Sequence, residues 1–175
     1  MNHHILVLLV LLPALALTQA KKDLMVSIVD RYSFCLIVPK DPHTNIGDSE
    51  YPGGMSLWCE GINRGQGKFN KFWRQVEVSR PRDGVLQMTG CFNLWSSDRF
   101  NSGDGGGQYD SDGGDGGNGN PAGSVCKQYQ HYVQLIEPNS QRACLRCCRD
   151  KNDCNVSRDT SGCPSVIPGN YFTCN

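Results

Sequence analysis

The chain is short of histidine, of net charge and of long apolar runs, and each shortage removes a class of function. Seventeen Lys and Arg balance seventeen Asp and Glu, so no overall field steers the protein to nucleic acid or to a membrane surface. Four histidines are present, two of them at positions 3 and 4. Once an N-terminal leader is discounted, His43 and His131 cannot supply a three-histidine zinc centre. The longest apolar run, Ile5 to Leu17, is too short to span a bilayer as a helix. No window sustains the three-to-four-residue apolar spacing of a long amphipathic helix.

What is abundant is cysteine. All ten lie beyond residue 34: Cys35, Cys59, Cys91 and Cys126 are spread through the body, and Cys144, Cys147, Cys148, Cys154, Cys163 and Cys174 crowd the C-terminal tail. The apolar run with Thr18 and Ala20 after it reads as a signal peptide over residues 1–20, cleaved before Lys21. Export and an even cysteine count together predict a secreted, extracellular chain whose cysteines are all bridged. The mature chain, residues 21–175, is expected to be one small domain without a membrane anchor.

The apolar pattern predicts an all-β fold, a sandwich or barrel of short antiparallel strands with a cysteine-dense C-terminal tail. Leu24 to Val29 and Ser33 to Val38 are rich in β-branched and large apolar residues, with Asp30-Arg31 between them as a turn or bulge. The prolines and glycines from Pro39 to Gly54 mark a loop region. Phe72, Val76 and Val78 alternate with polar positions, and Leu86, Met88 and Phe92 continue the alternation beyond Arg80-Pro81-Arg82-Asp83-Gly84, which has hairpin-turn chemistry. A second hairpin is predicted from Tyr129 to Cys147 around Glu137-Pro138-Asn139-Ser140.

Residues 101–123 hold ten of the twenty glycines, four aspartates and one aromatic, Tyr109. That composition cannot bury enough apolar surface to offset its ordering entropy, so the segment is predicted to be a flexible loop. Asp110 to Asp115 only superficially follows a calcium loop, because the third acidic position falls on Gly114 and the closing glutamate on Pro121.

Three features carry candidate chemistry. The C-x-x-C of Cys144-Leu145-Arg146-Cys147, followed by Cys148, would bind metal or work as a redox pair in a cytosolic chain. In an exported one it reads as structural, since neighbouring cysteines on a strand face opposite ways and reach different partners. Arg64, Lys68, Lys71, Arg74, Arg80 and Arg82 are interleaved with Phe69, Phe72 and Trp73 and opposed locally only by Glu77. Lys68, Lys71, Phe72, Trp73 and Arg74 therefore form a candidate anionic-ligand patch. His43 or His131 with Glu60, Glu77 or Glu137 and an arginine would be the set for a secreted ribonuclease. No spacing links those members, and no catalytic residue, metal or cofactor is assigned. Asn155-Val156-Ser157 is the one N-glycosylation sequon.

Gly107-Gln-Tyr-Asp110, Tyr132 to Pro138, Ala143 to Cys148, Cys154, Asp159-Thr160, Gly162-Cys163 and Val166 to Tyr171 together resemble a group of uncharacterised small secreted, cysteine-rich, effector-like proteins of fungi. The resemblance is best from about Gly84 to Cys174, and it implies fungal secretion and shared cysteines without assigning a mechanism. The resulting expectation is a non-catalytic binding or effector-like protein acting at the fungal cell surface or on a host. A host protein or a cell-wall polysaccharide is the expected partner. A secreted hydrolase, chiefly a ribonuclease, and a protease inhibitor are the alternatives.

Overall fold

The computed structural model describes residues 24–61, 71–114, 117 and 119–174; the signal-peptide reading of 1–20, and Arg64, Lys68 and Phe69 of the basic patch, lie outside them. The described chain is mostly β. Strands β1 (Met25–Asp30) and β2 (Ser33–Pro39) form the first hairpin, turned where Asp30 Oδ1 accepts from the Tyr32 amide at 2.7 Å. Strand β3 (Met55–Glu60) pairs antiparallel with β2.

The two hairpins legible in the sequence build the second sheet. Strands β4 (Trp73–Ser79) and β5 (Val85–Phe92) flank the Arg80–Gly84 turn, which closes with Gly84 at φ 73, a conformation glycine adopts without steric cost. Strand β6 (Gly107–Asp110) follows, then the short β7 (Val125–Cys126). Strands β8 (His131–Glu137) and β9 (Arg142–Cys148) are joined through a 3-10 turn at Pro138–Ser140. The sheet orders are β3-β2-β1-β7 and β4-β5-β9-β8-β6, with β7 running parallel to β1.

Every residue of β5 is buried, because the five-stranded sheet is covered on both faces. Leu86, Met88, Phe92, Tyr132, Ile136, Leu145 and Cys147 meet Val26, Phe34, Leu36 and Val38 of the smaller sheet in one core. Val133, Leu135, Cys144 and Cys148 turn the other way and pack under Cys154, Cys163, Val166 and Ile167 of the tail. The tail's α-helical turn, α1 (Cys163–Val166), sits in this layer. Period-two alternation along β8 and β9 therefore feeds two separate cores.

A polar link joins the sheets. The fully buried Gln134 side chain accepts from the Ile37 amide at 2.9 Å and donates to the Ile37 carbonyl at 2.6 Å. Its amide thus supplies both hydrogen bonds that a neighbouring strand would have given β2 at that residue.

All ten cysteines are bridged. Cys35–Cys59 crosses β2 and β3, and Cys126–Cys147 ties the smaller sheet to the larger. Cys144–Cys163, Cys148–Cys154 and Cys91–Cys174 fasten the tail over the outer face. The adjacent pair on β9 behaves as strand geometry requires, Cys147 entering the inter-sheet core and Cys148 the tail layer.

The reading of 101–123 as one flexible loop needs correction at its centre. Gly107–Asp110 pairs antiparallel with β8 as an edge strand, and Tyr109 is wholly buried with its hydroxyl 2.7 Å from Ser49 Oγ. One buried aromatic and the pairing edge of β8 outweigh the glycine content there. The described residues around the strand form turns, with Asp110 accepting from the amides of Asp112 and Gly113.

Candidate functional site

The described residues of the basic patch do not assemble as a cation-and-ring platform. Phe72 is fully buried and Trp73 is 5% exposed. Both belong to a ring cluster with Phe34, Phe92 and Phe100, at centroid separations of 4.9–6.2 Å. A register shift between Trp73 and Gln75 breaks the alternation that would have turned one of the two rings outward. As ligand-contact residues Phe72 and Trp73 are thus corrected to core residues. Lys71 and Arg74 remain exposed; the Lys71 amide donates to Glu60, and Arg74 donates to Gln141 Oε1 at 3.0 Å. Arg80 donates to the Tyr129 hydroxyl, and Arg82 pairs with Asp153.

The members of the ribonuclease set also go to separate partners. His131 Nδ1 lies 3.0 Å from Asp112 Oδ1. Glu137 holds Arg142 at 2.7 Å and accepts from the Cys163 amide. Glu60 accepts from Trp58 Nε1, and Glu77 from Asn170. Among the described residues no three of His, Cys, Asp and Glu are grouped to hold a metal ion.

A different aromatic faces outward. Beyond β5, Asn93 Oδ1 accepts from the Trp95 amide and caps a 3-10 turn at Leu94–Ser96. Buried Leu94 anchors the turn, which leaves Trp95 80% exposed. Across from it runs the 41–45 loop, with His43 at φ 50. Two backbone bonds, His43 N to Asp98 O at 2.7 Å and Thr44 N to Arg99 O at 3.1 Å, fasten that loop to the segment after Trp95. Between them is a cleft of about 450 Å³ lined by His43, Trp95, Ser97, Asp98, Asn101 and Ser102 over Leu94 and Phe100.

The walls of this cleft are tied to the neighbouring chain by two side-chain bonds. Arg99 donates to Ser56 Oγ and Asn101 to Asn45 Oδ1, both at 2.8 Å. His43, Trp95, Asp98 and Ser102 make no side-chain hydrogen bond or ion pair with the described residues. A preformed concavity with unengaged polar groups and an exposed ring is the arrangement of a small-ligand site. The sequence carries no signal that separates Trp95 from its apolar neighbour Leu94; only the capped turn divides the inward residue from the outward one.

A wider trough of about 840 Å³ runs between the β1–β2 turn and the outer side of β4. It is larger but chemically less directed. Asp30 and Glu77 oppose Arg31 and Arg74 along it, and Trp73 turns its ring to the core.

One carboxyl group near β6 is strongly perturbed. Glu50 is an exposed residue as a whole, yet its carboxyl end turns inward. Asn120 Nδ2 donates to Oε2 at 2.8 Å, and a Cβ at Gly107 would lie 3.2 Å from Oε1. Loss of water around the carboxyl, opposed by the Asn120 bond and reinforced by the charges of Asp110 and Asp159, raises its pKa from 4.5 to about 7. Between those values the folded chain holds a proton that the unfolded chain releases, so this group makes stability fall as pH rises through the window. Glu50→Gln keeps an acceptor for Asn120 and removes the ionisation. The variant is expected to match the parent near pH 4, to exceed it at pH 8, and to flatten the pH dependence of thermal unfolding between. An unchanged slope would show that Glu50 titrates normally.

A scan of protein-family models, a search of curated proteins and a search of solved structures each returned no match to the chain.

Proposed function

We propose that the protein is an extracellular, effector-like binding protein without catalytic activity, exported through the 1–20 signal and acting at the fungal cell surface or on a host. The observation that carries this reading is Trp95, an exposed indole beside a rigid cleft whose His43, Asp98 and Ser102 side chains are left unengaged by the described residues. Five bridges support the extracellular setting, since thiols persist as bridges outside the reducing cytosol. Among the described residues no helix is long and apolar enough to cross a membrane.

In the same reading Asn155 carries an N-linked glycan. It is exposed, and its Oδ1 accepts from the Ser157 amide and hydroxyl at 3.0 and 2.9 Å, which leaves the amide nitrogen free of both. Secretion from a eukaryotic host is expected to yield a chain beginning at Lys21, with extra mass that Asn155→Gln removes. The oxidised product is expected to bind a saturable ligand and to lose it on Trp95→Ala without a change in fold. RNA cleavage that depends on His131, or stoichiometric inhibition of a protease, would replace this reading with one of its alternatives.

A further inference from the structure

Resting on that reading, we propose that the His43–Trp95 cleft is a carbohydrate subsite, taking a hexopyranose unit of a neutral polysaccharide. A pyranose presents a patch of C–H groups on its face and hydroxyls around its edge. The cleft presents the matching halves: the indole of Trp95, a residue 80% exposed, and beside it the residues Asp98, His43 and Ser102, with a carboxylate, an imidazole and a hydroxyl. Asp98 can accept from two adjacent hydroxyls, and His43 and Ser102 can each donate and accept. The indole is amphipathic in the sense such a ligand needs, with a broad apolar face and one N–H at its edge.

Other ligand classes fit less of the site. Among the described residues no Lys or Arg lines the cleft, and Asp98 would repel a phosphate or sulfate, so an anion or a nucleic-acid backbone finds no counter-charge from them. An ammonium group would use the ring and Asp98 but leave His43 and Ser102 without a role. An aliphatic chain would strand the whole polar rim against apolar surface. At about 450 Å³ the cleft falls within the range of small-ligand sites. Its backbone is already pinned by the His43–Asp98 and Thr44–Arg99 bonds, so binding orders little of the chain.

The test is retention of the mature, oxidised protein on insoluble β-glucan, chitin and cellulose, with release by the corresponding soluble oligosaccharide. The parent is expected to be retained on at least one. Trp95→Ala is expected to weaken retention tenfold or more, and Trp95→Phe, which keeps a smaller ring, by less. Asp98→Asn, which keeps an acceptor and drops the charge, is expected to retain the polysaccharide, whereas an ammonium ligand would lose its counter-charge. Because Trp95 is outside the core, an unchanged unfolding midpoint confirms that Trp95→Ala folds. Equal retention of Trp95→Ala and parent overturns the assignment. A saturable protein ligand that depends on Trp95, with none of the three polysaccharides retained, overturns the carbohydrate assignment and leaves the binding reading intact. No saturable, Trp95-dependent ligand of any kind overturns both.

Discussion

Replacing Cys91 and Cys174 together by serine is expected to destabilise the protein by about 4 kcal/mol, against about 2 kcal/mol for the Cys148 and Cys154 pair. The difference comes from the unfolded chain. The first bridge joins residues 83 apart and the second residues 6 apart, and a longer closed loop removes more conformational entropy from the denatured ensemble. Because the other bridges shorten the ring that Cys91–Cys174 closes, the figure for it is taken slightly below that of an isolated loop of its length.

The folded state adds to the effect. Cys174 is the last fastening of a segment that runs over β5, where Gln87 donates to the Pro168 carbonyl at 2.9 Å and the Tyr171 hydroxyl donates to the Ile167 carbonyl at 2.6 Å. The segment passes so close that a Cβ at Gly169 would lie 2.7 Å from Thr89 Oγ1. Released from Cys91, residues after Ile167 are expected to become the first site of protease cleavage under native conditions. Denaturant unfolding of the two double variants checks the order, and equal losses, or the larger loss for the short loop, would refute the loop-length account.

Gln134→Leu is expected to cost about 3 kcal/mol or more, although it places a larger apolar surface in an apolar core. Removing the side-chain amide strands the Ile37 N–H and C=O in a region with no exposure. Each unpaired buried group costs about 1–3 kcal/mol, and the two together exceed what Leu recovers, since the glutamine stem is already buried and the apolar increment is only about 1 kcal/mol. The two outcomes differ in sign: if apolar burial dominates, the variant is more stable than the parent in urea; if backbone satisfaction dominates, it is less stable. A neutral or stabilised variant would mean that water or a shifted β2 takes over the two bonds.

Gln134 also marks the limit of what sequence pattern can reach. Its position on β8 is legible from strand alternation, which sets it on the face opposite Val133 and Leu135. That a polar residue occupies the inter-sheet face has no local signal, because its partner Ile37 lies 97 residues away. β3 was missed for a related reason: Met55, Leu57 and Cys59 alternate with Ser56, Trp58 and Glu60, but the segment follows a run of prolines and glycines that argued for loop. β6 was hidden by glycine composition, although Gln108-Tyr109-Asp110 carries a strand's alternation.

The candidate site shows the same division. Phe72 and Trp73 stood out in the sequence because cations surround them, and both proved to be core, since nothing in a linear pattern reports the register shift that turns both rings inward. Trp95 has only the opposed pair Asp98-Arg99 near it in the sequence, and no run of cations marks it out. Its exposure follows from one capped turn, and its polar neighbours come from the 41–45 loop and from residues 97–102, brought together by two backbone bonds.

What the sequence alone determined about this protein is its β character, its two main hairpins and the bridging of all ten cysteines. Those follow from short-range physics: side-chain period, turn residues and the oxidation expected of an even set of cysteines. Which cysteines pair, that the tail forms a second layer over the larger sheet, and that Trp95 rather than Trp73 faces solvent were decided by the tertiary structure. Each depends on contacts between distant residues, where the exclusion of water from two faces of one sheet selects among arrangements that local pattern leaves equal.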